Sequence, residues 1–242
     1  MKTIKDSITN KKVVFYGDSI THNWEKYDHD LNLTHKDDIN YKYGLGYGHV
    51  KMLNDVCHFK SVDNFAVSGG CYASCSQINP NRPPFRHFAY QIMHSLDKLK
   101  EAEVIFVMFG SNDYSEQVPF GKEDDIGIDE NQEDMTFYGG MNFGFKKIKE
   151  INPTAKIYVI NCLSRTVDIE KGRTFNYSLN EYNLAIQHIC RIYDLTLIDV
   201  SKLYKVPQDF IGENKVSDDG LHPNQKGYKL LTNYILNQVE KD

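Results

Sequence analysis

Five short runs of apolar residues alternate with longer amphipathic stretches along the chain. The runs are rich in β-branched and aromatic residues, which is typical of strands covered on both faces, and they predict strands at residues 12–17, 59–66, 103–109, 156–161 and 195–200. Apolar residues at helical spacing predict helices at 49–56, 85–100, 136–151, 177–193 and about 224–239. The third of these stretches, residues 136–151, is predicted to be helical despite three glycines, which disfavour a helix.

Strands that alternate with helices indicate βαβ units with right-handed crossovers. The predicted fold class is therefore α/β, a doubly wound three-layer α/β/α sandwich around a parallel sheet of about five strands. No internal repeat, low-complexity tract or linker interrupts the 242 residues. This length is typical of one α/β domain, so we expect residues 1–242 to form a single domain.

Small polar residues follow the predicted strands where the apolar runs end. In open α/β sheets, ligands bind at the carboxyl ends of the strands, so these positions are candidates for chemistry. Each of them is also a common turn or capping residue, which is the alternative interpretation when it is taken alone. The positions are Gly17-Asp-Ser19 after the first strand, Ser68-Gly69 after the second, Gly110-x-Asn112 after the third, and Asp219-Gly-Leu-His222 beyond the fifth.

Serine hydrolysis requires a nucleophile, a base, a carboxylate that orients the base, and N–H donors for the developing oxyanion. Ser19 supplies a hydroxyl, and His222 supplies an imidazole three residues after the carboxylate of Asp219. Asp18 and Asp113 border these blocks. We assign them no catalytic role, because Asx-type hydrogen bonds that position loops explain them sufficiently.

In this combination and order, the four blocks resemble those of the SGNH/GDSL hydrolases, a family of esterases and acylhydrolases with a flavodoxin-like sandwich fold. The resemblance spans residues about 12 to 235, and Ile20 stands where the family's short name has Leu. It implies a serine esterase that needs no metal and no organic cofactor. The residues that it implies are a Ser19, His222 and Asp219 triad, with Ser19, Gly69 and Asn112 as the oxyanion hole. Gly69 is preferred to its neighbour Gly70 because it follows Ser68 as in the family's block.

The predicted reaction is cleavage of a short-chain, acetyl-like carboxylic ester, with a saccharide ester or another small-molecule ester as substrate. Trp24, Tyr43, Tyr47 and Tyr72 could form a rim that stacks on sugar rings, or could be packing residues. The glycine-spaced segment 43–48 is interpreted as a flexible part of this rim rather than a phosphate loop. Alternative functions are a lysophospholipase or thioesterase, an acyltransferase with the same triad, and a catalytically idle carbohydrate-binding module.

Charge and hydropathy exclude other classes of partner. The chain has 33 acidic and 28 basic residues, a net charge of -5 and no long Lys/Arg run, so we expect no nucleic-acid partner. It has neither the apolar core of a signal peptide nor a long apolar run, which predicts a cytoplasmic protein without a membrane span. The acidic segment 114–135 is interpreted as a solvated loop rather than a cation site. The sequence does not indicate the oligomeric state.

The five cysteines, Cys57, Cys71, Cys75, Cys162 and Cys190, are an odd number in a chain large enough to fold without cross-links. We therefore expect reduced thiols. The spacing of Cys71 and Cys75 occurs in some metal sites, but no second Cys pair or nearby His pair would complete a tetrahedron. The sequence thus predicts no metal site here.

Overall fold

Five parallel strands form one sheet in the computed structural model, which describes residues 7–22, 48–75, 78–79, 81, 86–126, 136–167 and 175–241. The strands are β1 Lys12–Gly17, β2 Ser61–Asn64, β3 Val104–Met108, β4 Lys156–Ile160 and β5 Thr196–Ile198. Their order in the sheet is β2-β1-β3-β4-β5, the flavodoxin-like order, in which β1 and β3 are neighbours at the point where the winding reverses. The predicted three-layer α/β/α sandwich is thus confirmed.

Helices cover both faces of the sheet, which explains why the central strands are apolar throughout. The helices are α1 His49–Cys57, α2 Phe88–Met93, α3 Leu96–Glu101, α4 Ser111–Glu116, α5 Phe137–Ile151, α6 Leu179–Ile192 and α7 Gln225–Val239, with a short 3-10 helix at Gln208–Phe210. Successive residues of β1 point to opposite faces, so Val13 and Phe15 pack with α1 and α7, whereas Val14 and Tyr16 pack with the other helices.

The predicted helix over 85–100 is wrong in one respect, because the structure divides it into α2 and α3. The break lies at His94 and Ser95. The Ser95 hydroxyl lies 3.0 Å from the carbonyl of Ile92 and 2.7 Å from the buried Tyr16 hydroxyl. A serine side chain that bonds nearby backbone competes with the helical hydrogen bonds, and the tertiary bond to Tyr16 favours this conformation.

Two glycines of α5 allow neighbouring segments to approach its backbone closely. A Cβ at Gly140 would lie 2.3 Å from the carbonyl oxygen of Tyr72, and one at Gly144 would lie 2.2 Å from the ring of Phe88. Either contact is far below van der Waals distance, so these positions require glycine. The residues that weaken the intrinsic helix propensity of α5 are therefore the ones that let it pack.

The expectation of five reduced cysteines is wrong for two of them. Cys71 and Cys75 form a disulfide, with their Cα atoms 6.5 Å apart, whereas Cys57, Cys162 and Cys190 are free and buried. A pairing across four residues serves a local loop rather than overall stability, so chain length was a poor guide to it.

We expect alkylation to count three thiols. Protein denatured without reductant and treated with iodoacetamide should gain three carbamidomethyl groups by intact mass, because only Cys57, Cys162 and Cys190 are free. After reduction it should gain five. Five groups without reductant would contradict the disulfide.

Candidate active site

The turn after β1 places the Ser19 hydroxyl at the carboxyl edge of the sheet. Gly17 ends the strand, and a Cβ there would lie 2.6 Å from Thr21 Oγ1, so the tight turn requires glycine. Asp18 Oδ1 accepts a hydrogen bond of 2.9 Å from the N–H of Ile20. This is the Asx-type contact predicted for Asp18, and it fixes the backbone on either side of Ser19.

Gln91 of α2 supports this turn in a way that the sequence did not indicate. Its Oε1 accepts from the Gly17 N–H at 3.1 Å, and its Nε2 donates to the Gly17 carbonyl at 3.0 Å. The side-chain amide thereby bonds both backbone groups of Gly17, as a neighbouring strand would. A glutamine on a predicted amphipathic helix gives no signal of such a role.

The structure brings the three residues of the predicted triad into hydrogen-bond contact. Ser19 Oγ lies 2.8 Å from Nε2 of His222, and Nδ1 of His222 lies 2.6 Å from Oδ2 of Asp219. Ser19 and His222 are buried, with 7% and 5% of their surfaces exposed. More than two hundred residues separate Ser19 from His222, so only the packing of α7 and its preceding loop against β1 can produce this contact.

Asp219 is held by its own loop. Its Oδ1 accepts from the N–H groups of Leu221 at 2.9 Å and His222 at 2.7 Å, and from the Ser217 hydroxyl at 3.1 Å. Gly220 has φ +80°, and its carbonyl oxygen accepts a hydrogen bond of 2.9 Å from the N–H of Thr166, which ties the loop to the segment that follows β4. A Cβ at Gly220 would lie 2.5 Å from Thr166 Oγ1, so the turn needs glycine.

The carboxyl of Asp219 is ionised throughout the neutral range. Burial alone would raise its pKa, but the hydrogen bond and charge of His222, with the N–H groups of Leu221 and His222, lower the pKa to about 2. An ionised carboxylate only accepts hydrogen bonds, so the proton shared with His222 lies on Nδ1. Nε2 is then the acceptor that faces the Ser19 hydroxyl.

The segment after β2 bears on the choice between Gly69 and Gly70 as a candidate oxyanion donor. The Gly70 N–H donates to the carbonyl of Val67 at 2.8 Å and is therefore already used within a turn. A Cβ at Gly70 would lie 2.8 Å from the carbonyl of Gly17, so this segment packs directly on the strand end that carries Ser19. Gly69 has φ +78°, which favours glycine. These contacts favour the backbone N–H of Gly69, rather than that of Gly70, as the candidate donor to the oxyanion.

Asn112 lies in the first turn of α4, a helix that the sequence did not predict. Its Nδ2 donates to the Gly70 carbonyl at 3.0 Å. An amide nitrogen carries two N–H donors, and this bond uses one of them. Gly110 precedes the helix with φ +110°, where a Cβ would lie 2.7 Å from Cys162 Sγ. Glycine is therefore required for α4 to begin directly at the end of β3.

Asp113 departs from the expected Asx-type role. Its carboxylate reaches across the site, where Oδ2 accepts from the N–H of Tyr72 at 3.0 Å and Oδ1 accepts from that of Ala73 at 3.1 Å. Burial raises the pKa of Asp113 to about 7, although these N–H groups lower it, and the charge of Asp18 adds to the rise. The sequence signal for this residue was only its place beside Asn112.

The proposed aromatic rim falls largely outside the part of the chain that the structure describes. Trp24, Tyr43, Tyr47 and all but the last residue of the segment 43–48 belong to residues 23–47, which are not described, and neither are residues 127–135 of the acidic segment. Tyr72 is described and is fully buried among core aromatic residues. Its role is therefore packing, the alternative considered for it, and it forms no part of a sugar-binding rim.

Among the described residues, one group of metal-ligand types lies close together. Atoms of Cys71, Cys75 and Asp113 all lie within 4.8 Å of one another. The two sulfurs are bonded to each other and the carboxylate accepts hydrogen bonds from backbone N–H groups, so these atoms already have partners other than a metal ion.

In the same described parts of the chain, no helix is long and apolar enough to cross a membrane.

Comparison with known proteins assigns the family. The model of the GDSL-like Lipase/Acylhydrolase family matches residues 15–230, which is most of the chain. The chain therefore belongs to this family, whose members are esterases and acylhydrolases. The resemblance drawn from the four sequence blocks is confirmed. No curated protein matches the chain significantly.

Solved structures show the same fold at low sequence identity. A protein from Lactobacillus plantarum is similar with a TM-score of 0.69 and 20% identity, covering 97% of this chain and 98% of that one. A protein from Chitinophaga pinensis, described as a possible lipase, has a TM-score of 0.60 and 22% identity, covering 95% and 97%. A mutant of an acetyl-xylooligosaccharide esterase from Geobacillus has a TM-score of 0.57 and 13% identity, covering 96% and 94%.

Proposed function

We propose that the protein is a serine esterase that cleaves a short-chain, acetyl-like ester of a saccharide through an acyl-enzyme on Ser19. The observation that carries the proposal is the continuous chain of hydrogen bonds from Ser19 through His222 to Asp219. A serine hydroxyl becomes an effective nucleophile when an adjacent base accepts its proton, and that base works best when a third group orients it. The family membership supports the hydrolase class.

The reaction has two steps. Ser19 Oγ attacks the ester carbonyl while His222 Nε2 takes the hydroxyl proton, and Asp219 stabilises the imidazolium that results. His222 then gives the proton to the departing alkoxide, which leaves an acyl-enzyme. Water attacks the acyl-enzyme with His222 as base, which releases the acid and restores Ser19. No step needs a metal ion or an organic cofactor.

The oxyanion formed in both steps requires N–H donors that are already in place. We assign this role to the backbone N–H groups of Ser19 and Gly69 and to the side-chain amide of Asn112. The Gly17 and Asn112 contacts of the 69–70 segment support the assignment, because they hold it between the ends of β1 and β3. One such side-chain donor typically contributes roughly 3 to 4 kcal/mol to the transition state.

The short acyl group is the narrower part of the proposal. The solved structure of an acetyl-xylooligosaccharide esterase shares the fold, which makes an acetylated saccharide a reasonable first substrate to assay. At 13% identity it supports the fold alone. An acyltransferase would use the same triad with an alcohol in place of water, and a thioesterase or lysophospholipase would differ in its leaving group or acyl chain.

A chain-length series of nitrophenyl esters tests this proposal. We expect kcat/KM to be highest for the acetate and to fall steeply as the acyl chain lengthens. A maximum at about eight carbons or more would contradict the short-acyl assignment, although not the esterase class. Product analysis with and without an added sugar separates hydrolysis from transfer, because a transferase yields acylated sugar. Failure to cleave any ester, with Ser19 unlabelled by a fluorophosphonate, would contradict the proposed function itself.

A further inference from the structure

We propose that Asp113 is a positioning residue for the oxyanion hole, which holds the segment 69–73 so that the Gly69 N–H and the Asn112 amide face one oxygen. The inference rests on the proposed function and extends it to a residue that touches neither substrate nor triad. Asp113 acts through backbone groups of a segment about forty residues earlier in the chain.

Asp113 holds two consecutive backbone N–H groups with its two carboxylate oxygens. Its side chain is fully buried, and its two carboxylate oxygens accept separately from the N–H groups of Tyr72 and Ala73, at 3.0 and 3.1 Å. Two consecutive N–H groups that point at one carboxylate fix the direction of the peptide planes between them. An ionised carboxylate is the side chain that can accept both bonds without presenting a donor.

Asn112 and Asp113 bind the same segment from adjacent positions on α4. Asn112 Nδ2 donates to the carbonyl of Gly70, two residues before the first N–H that Asp113 accepts. A shift of the 69–73 segment relative to α4 would therefore break bonds to both side chains together. The Asn112 amide and Gly69, the two proposed donors outside the nucleophile turn, are thereby fixed relative to each other.

Two further contacts restrict the position of the segment 69–73. The disulfide of Cys71 and Cys75 closes the chain immediately around Tyr72 and Ala73. The backbone of α5 lies against the opposite side, where Gly140 is so close to the Tyr72 carbonyl that a Cβ would lie at 2.3 Å. Oxyanion stabilisation depends on donors that need no rearrangement during the reaction, and this enclosure supplies that condition.

Burial of the Asp113 carboxylate is energetically unfavourable. Taking a charge out of water carries a large desolvation penalty even after relaxation, so apolar or neutral groups usually serve where only packing is needed. Here the carboxylate lies beside a second one, Asp18, which adds repulsion. That cost is consistent with a residue whose bonds set the geometry of a site rather than one that only fills the core.

The test replaces Asp113 by asparagine, which keeps the shape but turns one acceptor into a donor facing an N–H. At pH 8, above the pKa of Asp113, we expect kcat to fall about 10- to 100-fold, less than the loss for a direct oxyanion donor, and KM to stay within about twofold. The inhibition constant of a trifluoromethyl ketone, which forms an oxyanion with Ser19, should rise by the factor by which kcat/KM falls. That of a competitive alcohol product should not change.

Two variants on the same helix calibrate the result. Asn112→Ala removes a proposed oxyanion donor and should show the same pattern more strongly. Ser115→Ala removes a buried hydroxyl that bonds the Ser111 carbonyl in α4 and should leave both kinetic constants unchanged. If D113N does not fold, Asp113→Glu takes its place, because it keeps the charge in a displaced position. Its inhibition constants for the trifluoromethyl ketone and for the alcohol product are then compared in the same way.

Two results would overturn the inference. One is a D113N or D113E enzyme with wild-type kcat. The other is a loss that weakens the ketone and the alcohol product equally, which indicates general damage to the site. Failure of the proposed function gives a different result, because the wild-type protein itself would then cleave no ester and Ser19 would not react with a fluorophosphonate.

Discussion

Replacing Ser19 by alanine is expected to lower kcat about a million-fold, to the level left by binding and the oxyanion donors alone. The variant lacks the oxygen that we propose forms the acyl-enzyme, and His222 loses the hydroxyl 2.8 Å from its Nε2. Only one atom is removed from a site where Ser19 is 7% exposed, so the fold should be unaffected. Steady-state hydrolysis of nitrophenyl acetate measures the loss, and intact mass after fluorophosphonate treatment should show no adduct.

Ser164→Ala is the matched control for this variant. Ser164 also follows a strand of the sheet, but its hydroxyl donates to the carbonyl of Ser201 at 2.7 Å rather than to a residue of the triad. The kcat of the S164A variant should equal that of the wild type. An S19A protein that is folded and retains more than about one per cent of wild-type kcat would contradict the acyl-enzyme mechanism, since removal of a nucleophile costs far more.

The sequence predicted the sheet well because β1 and β3 are apolar on both faces, and only a strand covered by two helical layers needs such a run. It also predicted which strand ends lie together, because a parallel sheet gathers its carboxyl ends on one edge. Ser19, Asn112 and the 219–222 loop could thus be grouped without knowledge of any distance. The contact of Ser19 with His222 then follows from the topology.

The features that the sequence did not reveal are set by contacts between distant residues. Gln91 and Asp113 bond backbone groups, and backbone groups leave no trace in the pattern of side chains. Ser95 interrupts a helix through a bond to Tyr16, although the apolar spacing continues across the break. The resemblance already preferred Gly69 to Gly70, but the turn hydrogen bond from the Gly70 N–H to Val67 is not recorded in any local pattern.

Replacing Asp219 by asparagine is expected to lower kcat about ten-thousand-fold while the nucleophile and base both remain. The amide group that replaces Oδ2 would offer a donor to Nδ1 of His222, which now lies 2.6 Å from a carboxylate oxygen. Nδ1 must then accept, so the ring proton moves to Nε2. His222 in this tautomer cannot take the proton of Ser19, and the loss appears in kcat rather than KM.

Asp218→Asn separates this effect from a general change of charge in the loop. Asp218 is the adjacent residue, and its carboxylate pairs with Lys215 on the surface at 3.1 Å. The D218N variant should therefore keep wild-type kcat.

The low pKa of Asp219, about 2, means that its carboxylate stays ionised above pH about 4. The ratio of wild-type to D219N activity should therefore not rise between pH 5 and 7 through titration of Asp219. Reaction with a fluorophosphonate should slow in D219N alone, and equal rates in both variants would contradict the assignment of Asp219 as the residue that orients the base.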